Sequence, residues 1–355
     1  MPDRARESVV PAFQVLVNGN QLQPEAEADL FLVEVADELD VPGMFTLSLN
    51  AGDPRSGGLK WVDDTLFREG NEVTIKMGFS APLTQLLVGE IVALEPEFPE
   101  RGPIVFTVRG YDRLHRLAIG RKSRAFRNMT DSEIAAQIAQ DYSLTPESDD
   151  SAVKHDHVYQ HNQTDLEFLR LRAARMGWEV KVDGKKLLFR KPKPATGKIL
   201  TLTYGDNLVS VAPRLTLATQ TSEVRVQGWS PKDKKVITAR AGGGDETTTM
   251  GGRDSGPTLA QRVVGLSTLM IVSEPPATPE DAEAMARGRL EQVALDFVIA
   301  EGSCVGEPQI RPGVVLELRS LGSRLSGLYY VVGATHSLAA RKGYLTSFTA
   351  RRNAA

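Results

Sequence analysis

Residues 159–178 read YQHNQTDLEFLRLRAARMGW, and this stretch decides the first structural unit of the chain. Asn162, Thr164 and Asp165 offer helix-capping oxygens. Leu166, Phe168, Leu169, Leu171, Ala173, Ala174 and Met176 then recur at helical spacing until Gly177 ends the run. Trp178-Glu-Val-Lys-Val alternates, Asp183-Gly184 supplies a tight turn, and residues 187–190 return. The pattern predicts a capped helix handing over to a two-stranded hairpin. No cluster of reactive groups accompanies it, as expected of a module built to pack and to be docked against.

Upstream, the chain reads as β. Apolar residues alternate at 13–17, 30–35, 44–50, 71–79, 86–94 and 103–111, each run short and bounded by Gly, Pro or Asn, with Asn18-Gly19 as a turn. Such spacing predicts a small barrel or sandwich. Ser56-Gly-Gly and residues 61–67 read as an insertion between strands. At Tyr111-Asp112 the alternation stops and the chain becomes basic through Arg121, Lys122, Arg124 and Arg127. Thr130 to Glu133 matches a capping box, predicting a helix over 131–141, and the acidic residues 146–151 read as a loop.

Downstream, strands are expected at 200–204, 208–217 and 223–229, and again at 312–352. Between them, 241–257 is rich in Gly, Thr and Asp and reads as a mobile loop. Thr278, Pro279, early acids and later arginines predict a strong helix ending near Leu295. The fold class expected is mainly β with α+β insertions: two small β-barrel domains, the second split, plus two smaller α/β domains. The boundaries are 1–118 for the first barrel, 119–199 for an α/β domain, 200–240 with 302–355 for the second barrel, and 241–301 for an inserted loop-and-helix domain.

The 355 residues are 41% hydrophobic and 25% charged, with a formal net charge of −3, which gives no general drive toward nucleic acid or anionic membrane. One cysteine, Cys304, excludes an internal disulfide and reads as a small buried hydrophobe. The first twenty residues lack a secretory apolar core, and no apolar run approaches the ~18 residues that span a bilayer.

Chemistry-bearing patterns are sparse. His155-Asp156-His157 with His161 is the one ligand-like cluster. On a regular strand His155 and His157 would share a face, as metal-binding pairs do, and Asp156 or Asp165 could add oxygen. No Glu forms an H-E-x-x-H helix and no Cys pair completes a tetrahedral set, so a hydrogen-bonded strand edge is the better reading. The glycines at 242–244 and 251–252 lack a following Lys-Ser/Thr and a strand-to-helix transition, so they form no phosphate cradle. Asp63-Asp64 and Asp149-Asp150 read as solvated acids rather than a glycosidase pair, and no Ser sits in a G-x-S-x-G elbow. The basic run at 121–127 has only Phe126 for stacking, which disfavours RNA binding.

GYDRLHRL at 110–117, DSEIAAQIAQDY, the Q-x-N-Q-T-D-L-E-F-L-R stretch ending in R-M-G-W-E, VRVQGW at 224–229 and the closing S-G-x-Y-Y-V-x-x-x-x-H resemble, in order and spacing, the phage late control gene D family. That family includes tail hub proteins of contractile phages and the hub portion of VgrG spikes in injection systems. The residues that carry the resemblance are Tyr111, Asp112, Gln160, Asn162, Asp165, Phe168, Leu169, Gly177, Trp178, Gly228, Trp229, Gly327, Tyr329, Tyr330 and His336. The resemblance implies structural or docking roles for them, and a non-enzymatic homotrimeric hub in which two barrels per chain form a pseudo-sixfold ring. It further implies that the ring links a hexameric tail tube to a spike in a contractile tail or injection system. Implied partners are a second and third copy, a separate spike or tip protein, inner tail tube proteins and baseplate wedge proteins, with no nucleic acid, no membrane anchor and no cofactor. The chain stops at Ala355 without β-helix repeats, so the spike is expected to be a separate polypeptide. Synthesis in the bacterial cytoplasm and incorporation into an assembled particle are expected. The alternatives are a metal-dependent tail-associated hydrolase using His155, His157 and His161, and a β-barrel nucleic-acid binder.

Overall fold

The computed structural model describes residues 10–52, 58–230 and 233–355. The expected loop residues Ser56 and Gly57 and the start of the chain lie outside these. Strand accounts for 47% of the chain and helix for 18%, so the mainly β class with α+β insertions holds. Where residues alternate they bury alternately: in Val105–Asp112 the side chains of Phe106 and Val108 point inward, and in Glu72–Gly78 those of Val73, Ile75 and Met77 do.

Two barrel-like β units share one topology. The first comprises, in chain order, Ala12–Val17, Leu30–Glu38, Met44–Asn50, Glu72–Gly78, Thr84–Glu97 and Val105–Asp112. The second comprises Lys198–Thr203, Leu208–Leu215, Val298–Val305, Val315–Arg319, Gly327–Ala339 and Gly343–Arg352. In both, the lateral order is second, third, sixth, fifth, fourth, first. They differ in one pairing: first and fourth strands run antiparallel in the first unit and parallel in the second. The units are not separate sheets. The C-terminal half of Gly327–Ala339 pairs with Leu30–Glu38, from Gly333 opposite Glu38 to Ala339 opposite Leu32, and so fuses them into one 13-stranded sheet.

Between the units lies an α/β segment. The ribbon of Lys122–Thr130 and Lys154–Gln163 and the three-stranded sheet of Thr145–Ser148, Glu179–Asp183 and Lys186–Arg190 enclose helices Asp131–Asp141 and Asp165–Arg175. Helix Asp131–Asp141 carries the capping box expected of Thr130 and Glu133, and helix Asp165–Arg175 proves to carry one as well, from Thr164 and Glu167. The strand Lys122–Thr130 was hidden by its polarity: Phe126 is its only buried side chain, so no alternation of apolar residues marks it. The strand Thr145–Ser148, which takes in the first half of the loop expected at 146–151, pairs in parallel with Lys186–Arg190.

The structure corrects two further expectations. Glu223–Ser230, assigned from its alternation to the second barrel, instead joins Lys235–Gly242 and Thr268–Ile271 in a separate sheet on helix Pro279–Leu295. The segment 241–257, expected to be mobile for want of apolar burial, is pinned by hydrogen bonds and by Met250, which is fully buried. Asp245 and Glu246 accept from the amides of Gly242 and Gly244, Glu291 from Thr247, and the Asn353 side chain donates to the carbonyl of Thr248. Its end is helical: Gly256–Val263 is capped by Ser255.

Candidate docking surfaces

The recognisable stretch at 159–178 is held by buried charge rather than by reactive groups. Asp165, at the first turn of its helix, is completely buried. Its carboxylate accepts from Lys122 Nζ at 2.6 Å, Arg124 at 2.8 Å, the Tyr142 hydroxyl at 2.8 Å and Gln160 Nε2 at 2.8 Å. Burial alone would raise its pKa, but the hydrogen bonds from Lys122, Gln160 and Tyr142 and the charge of Arg124 outweigh that and hold it below the usual carboxylate value. Gln160 also accepts from Arg124 Nε at 2.9 Å. Asn162, exposed and at φ 47°, donates its amide to Ser123 and accepts from Arg121 at its carbonyl. Phe168 stacks on Phe126 with centroids 5.5 Å apart, and Leu169 is fully buried beside them.

The histidines do not converge. His155 faces inward, its Nε2 3.2 Å from Asp131, whose carboxylate also takes Arg172 at 2.5 Å. His157 and His161 point outward and flank the exposed Tyr159 in a ring row, with centroid spacings of 6.4 and 5.7 Å. The shared face expected for His155 and His157 is lost because burial stops alternating between His155 and Val158, where Asn128 on the facing strand, opposite Asp156, takes φ 52°; the register is the same on either side. Among the described residues no three His, Cys, Asp or Glu side chains are grouped to hold a metal ion.

The other motif residues sit at junctions. Gly177, at φ 68°, ends its helix where a Cβ would lie 2.5 Å from the carbonyl oxygen of Gly288, and a Cβ on Gly288 would strike the Met176 carbonyl. Two glycines thus let the helix Pro279–Leu295 seat against the α/β segment, where Arg175 also pairs with Asp281. Trp178 tilts against Phe189 under the Lys191 ammonium. The Tyr330 hydroxyl donates to Glu179 at 2.6 Å, which takes Arg190 at 2.7 Å, and burial pushes the phenol up. Lys181 pairs with Asp37 at 2.5 Å, tying the α/β segment to the first β unit. Asp112 accepts from the amides of Gly43 and Leu114, and burial raises its pKa to about 7. Its neighbour Tyr111 lies 6.2 Å, centroid to centroid, from His115.

In the second unit the Tyr329 hydroxyl donates to the Leu325 carbonyl at 2.6 Å, and Gly327 leaves room for the Arg352 guanidinium beside it. His336 Nε2 faces the Ile310 carbonyl at 2.9 Å and therefore carries the proton, while Nδ1 accepts from the hydroxyls of Tyr344 and Thr346. Its burial depresses the imidazole pKa to about 4, so it is neutral at pH 7. Gly228 admits Pro276 against its backbone, and Trp229 is 54% exposed opposite Val236.

An open trough of about 820 Å³ crosses the seam between the β units, walled by small and polar side chains such as Ala36, Ser210, Ser303, Thr335 and Ser347 with Glu38 and Glu301. Asp37, which also lines it, is paired to Lys181.

One family model, described as the Alg8 N-terminal domain, matches residues 7–340. The chain belongs to that family. The fold is shared with the 43 kDa tail protein of prophage MuSo2 from Shewanella oneidensis, at TM-score 0.72 and 15% identity over 96% of this chain and 98% of that one. It is shared with the tail protein from Neisseria meningitidis MC58, at TM-score 0.70 and 12% identity over 97% of each chain. The E. coli c3393 protein, described as a type VI secretion component similar in structure to the T4 tail proteins gp27 and gp5, superposes at TM-score 0.63. Its identity is 14% over 96% of this chain and 77% of that one. No curated protein matches the sequence.

Proposed function

We propose that the chain is a structural hub of a phage-type tail or contractile injection apparatus. The duplicated β topology carries the proposal: two six-stranded units of one lateral order, fused edge to edge, present two similar surfaces per chain. Three such chains in a closed ring would offer six related faces to a hexameric tube and a three-fold face to a spike, which is how two β units per chain reconcile the symmetries. Similarity of fold to tail proteins over nearly the whole chain supports the reading, as does resemblance of the motifs to the late control gene D hubs. The partners are two further copies, a spike or tip protein, tube proteins and wedge proteins, and the assembled particle is where the chain resides. The motif residues act as packing and docking elements within it. We divide the chain into a first β unit to residue 112, an α/β unit over 113–197, a second β unit of 198–215 and 298–355, and an inserted unit over 216–297.

Removing the chain from a producing strain tests the role. Particles whose tubes are capped by a normal baseplate in its absence would refute it, whereas the expected result is loss of baseplates and of contractile particles.

A further inference from the structure

The two β units repeat each other down to their irregularities. The fifth strand of each has one bulge, at Val92 in Thr84–Glu97 and at Val332 in Gly327–Ala339, where the ladder to the sixth strand shifts. Just before it, Ile91 exchanges backbone hydrogen bonds with Asn71 and Gly70, as Val331 does with Val314 and Gly313. The second strands match in the same way, their registers shifting at Phe31 and at Val209. In the second unit the half-strand beyond the bulge is covered, because residues 333–339 pair with Leu30–Glu38 of the first. The corresponding half of Thr84–Glu97, beyond Ile91, pairs on one side only, with Val105–Asp112. Leu208–Leu215, the counterpart of Leu30–Glu38, likewise pairs only with Val298–Val305, apart from a single bridge at Leu208. Among the described residues, each unit thus leaves open the edge that the other has closed.

We propose that the open edge at 92–98 of one copy meets the open edge at 210–216 of the next, repeating between chains the joint that Gly327–Ala339 and Leu30–Glu38 make within one. The proposal rests on the hub reading and identifies the surfaces through which its ring closes. A joint between two unlike edges runs head to tail, as a ring requires. Carrying the internal register across sets Glu95 opposite Arg214 and Pro96 opposite Pro213. The side chains that share a face then agree. One face brings Leu94 to Leu215 and brings Phe98, 60% exposed in the single chain, to Val211. The other sets Arg214 against Glu95 with Glu97 diagonal to it, and opposite charges directly across a ladder favour pairing. Arg214 is exposed and has no ionic partner among the described residues, while Glu95 has Arg109 of its neighbouring strand at 3.1 Å. Proline at the central step of both edges removes the hydrogen bonds there, which deters pairing with other strands. Opposite each other, the two prolines leave no donor unpaired.

Cysteines placed at the proposed contact test it in the full chain within purified particles. The native Cys304 is buried. Glu95→Cys combined with Arg214→Cys should, on mild oxidation, give a reducible trimer as the main product on a denaturing gel, while each single variant stays monomeric. Charge reversal supplies a second reading. Glu95→Arg and Arg214→Glu, both at exposed positions, should each lower incorporation into particles several-fold, and the two together should restore it. Particles that carry the double-cysteine chain yet yield only monomer, with both charge-reversed variants incorporated like wild type, would overturn the joint and leave the hub reading standing. A product that stops at two chains after full oxidation would indicate a closed pair and overturn it as well. Absence of the wild-type chain from particles would overturn both.

Discussion

Replacing Asp165 by Ala removes the one carboxylate on which four side chains of the α/β unit converge. Breaking a buried ion pair by deleting one partner costs roughly 3–5 kcal/mol, because the remaining charge stays desolvated. Here the strandings are partial. Lys122 and Arg124 keep 37% and 25% of their side-chain surface in water, and Arg124 retains Asp141 at 2.7 Å. The cost therefore falls at the low end, about 3 kcal/mol. At roughly 2–4 °C per kcal/mol for a large cooperative unit, the melting temperature should drop by about 6–12 °C. Scanning calorimetry at pH 7 reads it directly. The folded carboxyl titrates below its unfolded value, so its contribution is complete above the unfolded pKa and is lost as pH falls through the folded one. The gap between wild type and variant should thus be full at pH 7 and close well below pH ~4. A loss under about 1 kcal/mol at pH 7, or a gap indifferent to acid, would refute the idea that Asp165 anchors the helix to the ribbon.

Three further outcomes are expected. Gly288→Ala should destabilise by about 1–3 kcal/mol, measured by urea unfolding, because its Cβ would meet the Met176 carbonyl; an unchanged midpoint would contradict the close helix seat. His336, held neutral with a pKa depressed to about 4, favours the fold at neutral pH and loses that contribution as pH falls from ~6.5 toward 4. Asp112, raised to about 7, acts with the opposite sign over much of that window, so the measurement is the difference between wild type and His336→Gln, which should shrink on acidification. Zinc or nickel added in stoichiometric amount should leave the melting temperature unmoved, since His155 is paired to Asp131 while His157 and His161 point outward; a metal-dependent rise abolished by His157→Ala would revive the hydrolase alternative.

The most legible parts of the fold were those where one face is apolar and the other wet. The capped helices at 131–141 and 165–175 and the strands of the first β unit fall where alternation, helical spacing and capping placed them. Lys122–Thr130 escaped because its inward positions are Lys122 and Arg124, whose partner Asp165 lies more than forty residues away. Residues 145–148 escaped for the related reason that an acidic edge strand has no apolar signature. The split of the second β unit was readable, but the allegiance of Glu223–Ser230 was not: alternation shows that a strand has an inner face without showing which helix or sheet covers it. The loop at 241–257 misled through composition, since its order comes from backbone amides meeting Asp245, Glu246 and Glu291. Of the candidate surfaces, Trp229 stood out in sequence through its motif, whereas the edges at 92–98 and 210–216 drew no notice as surfaces because only the structure leaves them uncovered.

Copy number in intact particles tests the hub role most directly. Quantitative mass spectrometry of purified particles, calibrated against the tube protein and joined to an image of the tube's distal end, should find three copies of this chain in a single ring between tube and spike. Two or six copies, or a chain found away from that junction, would contradict it.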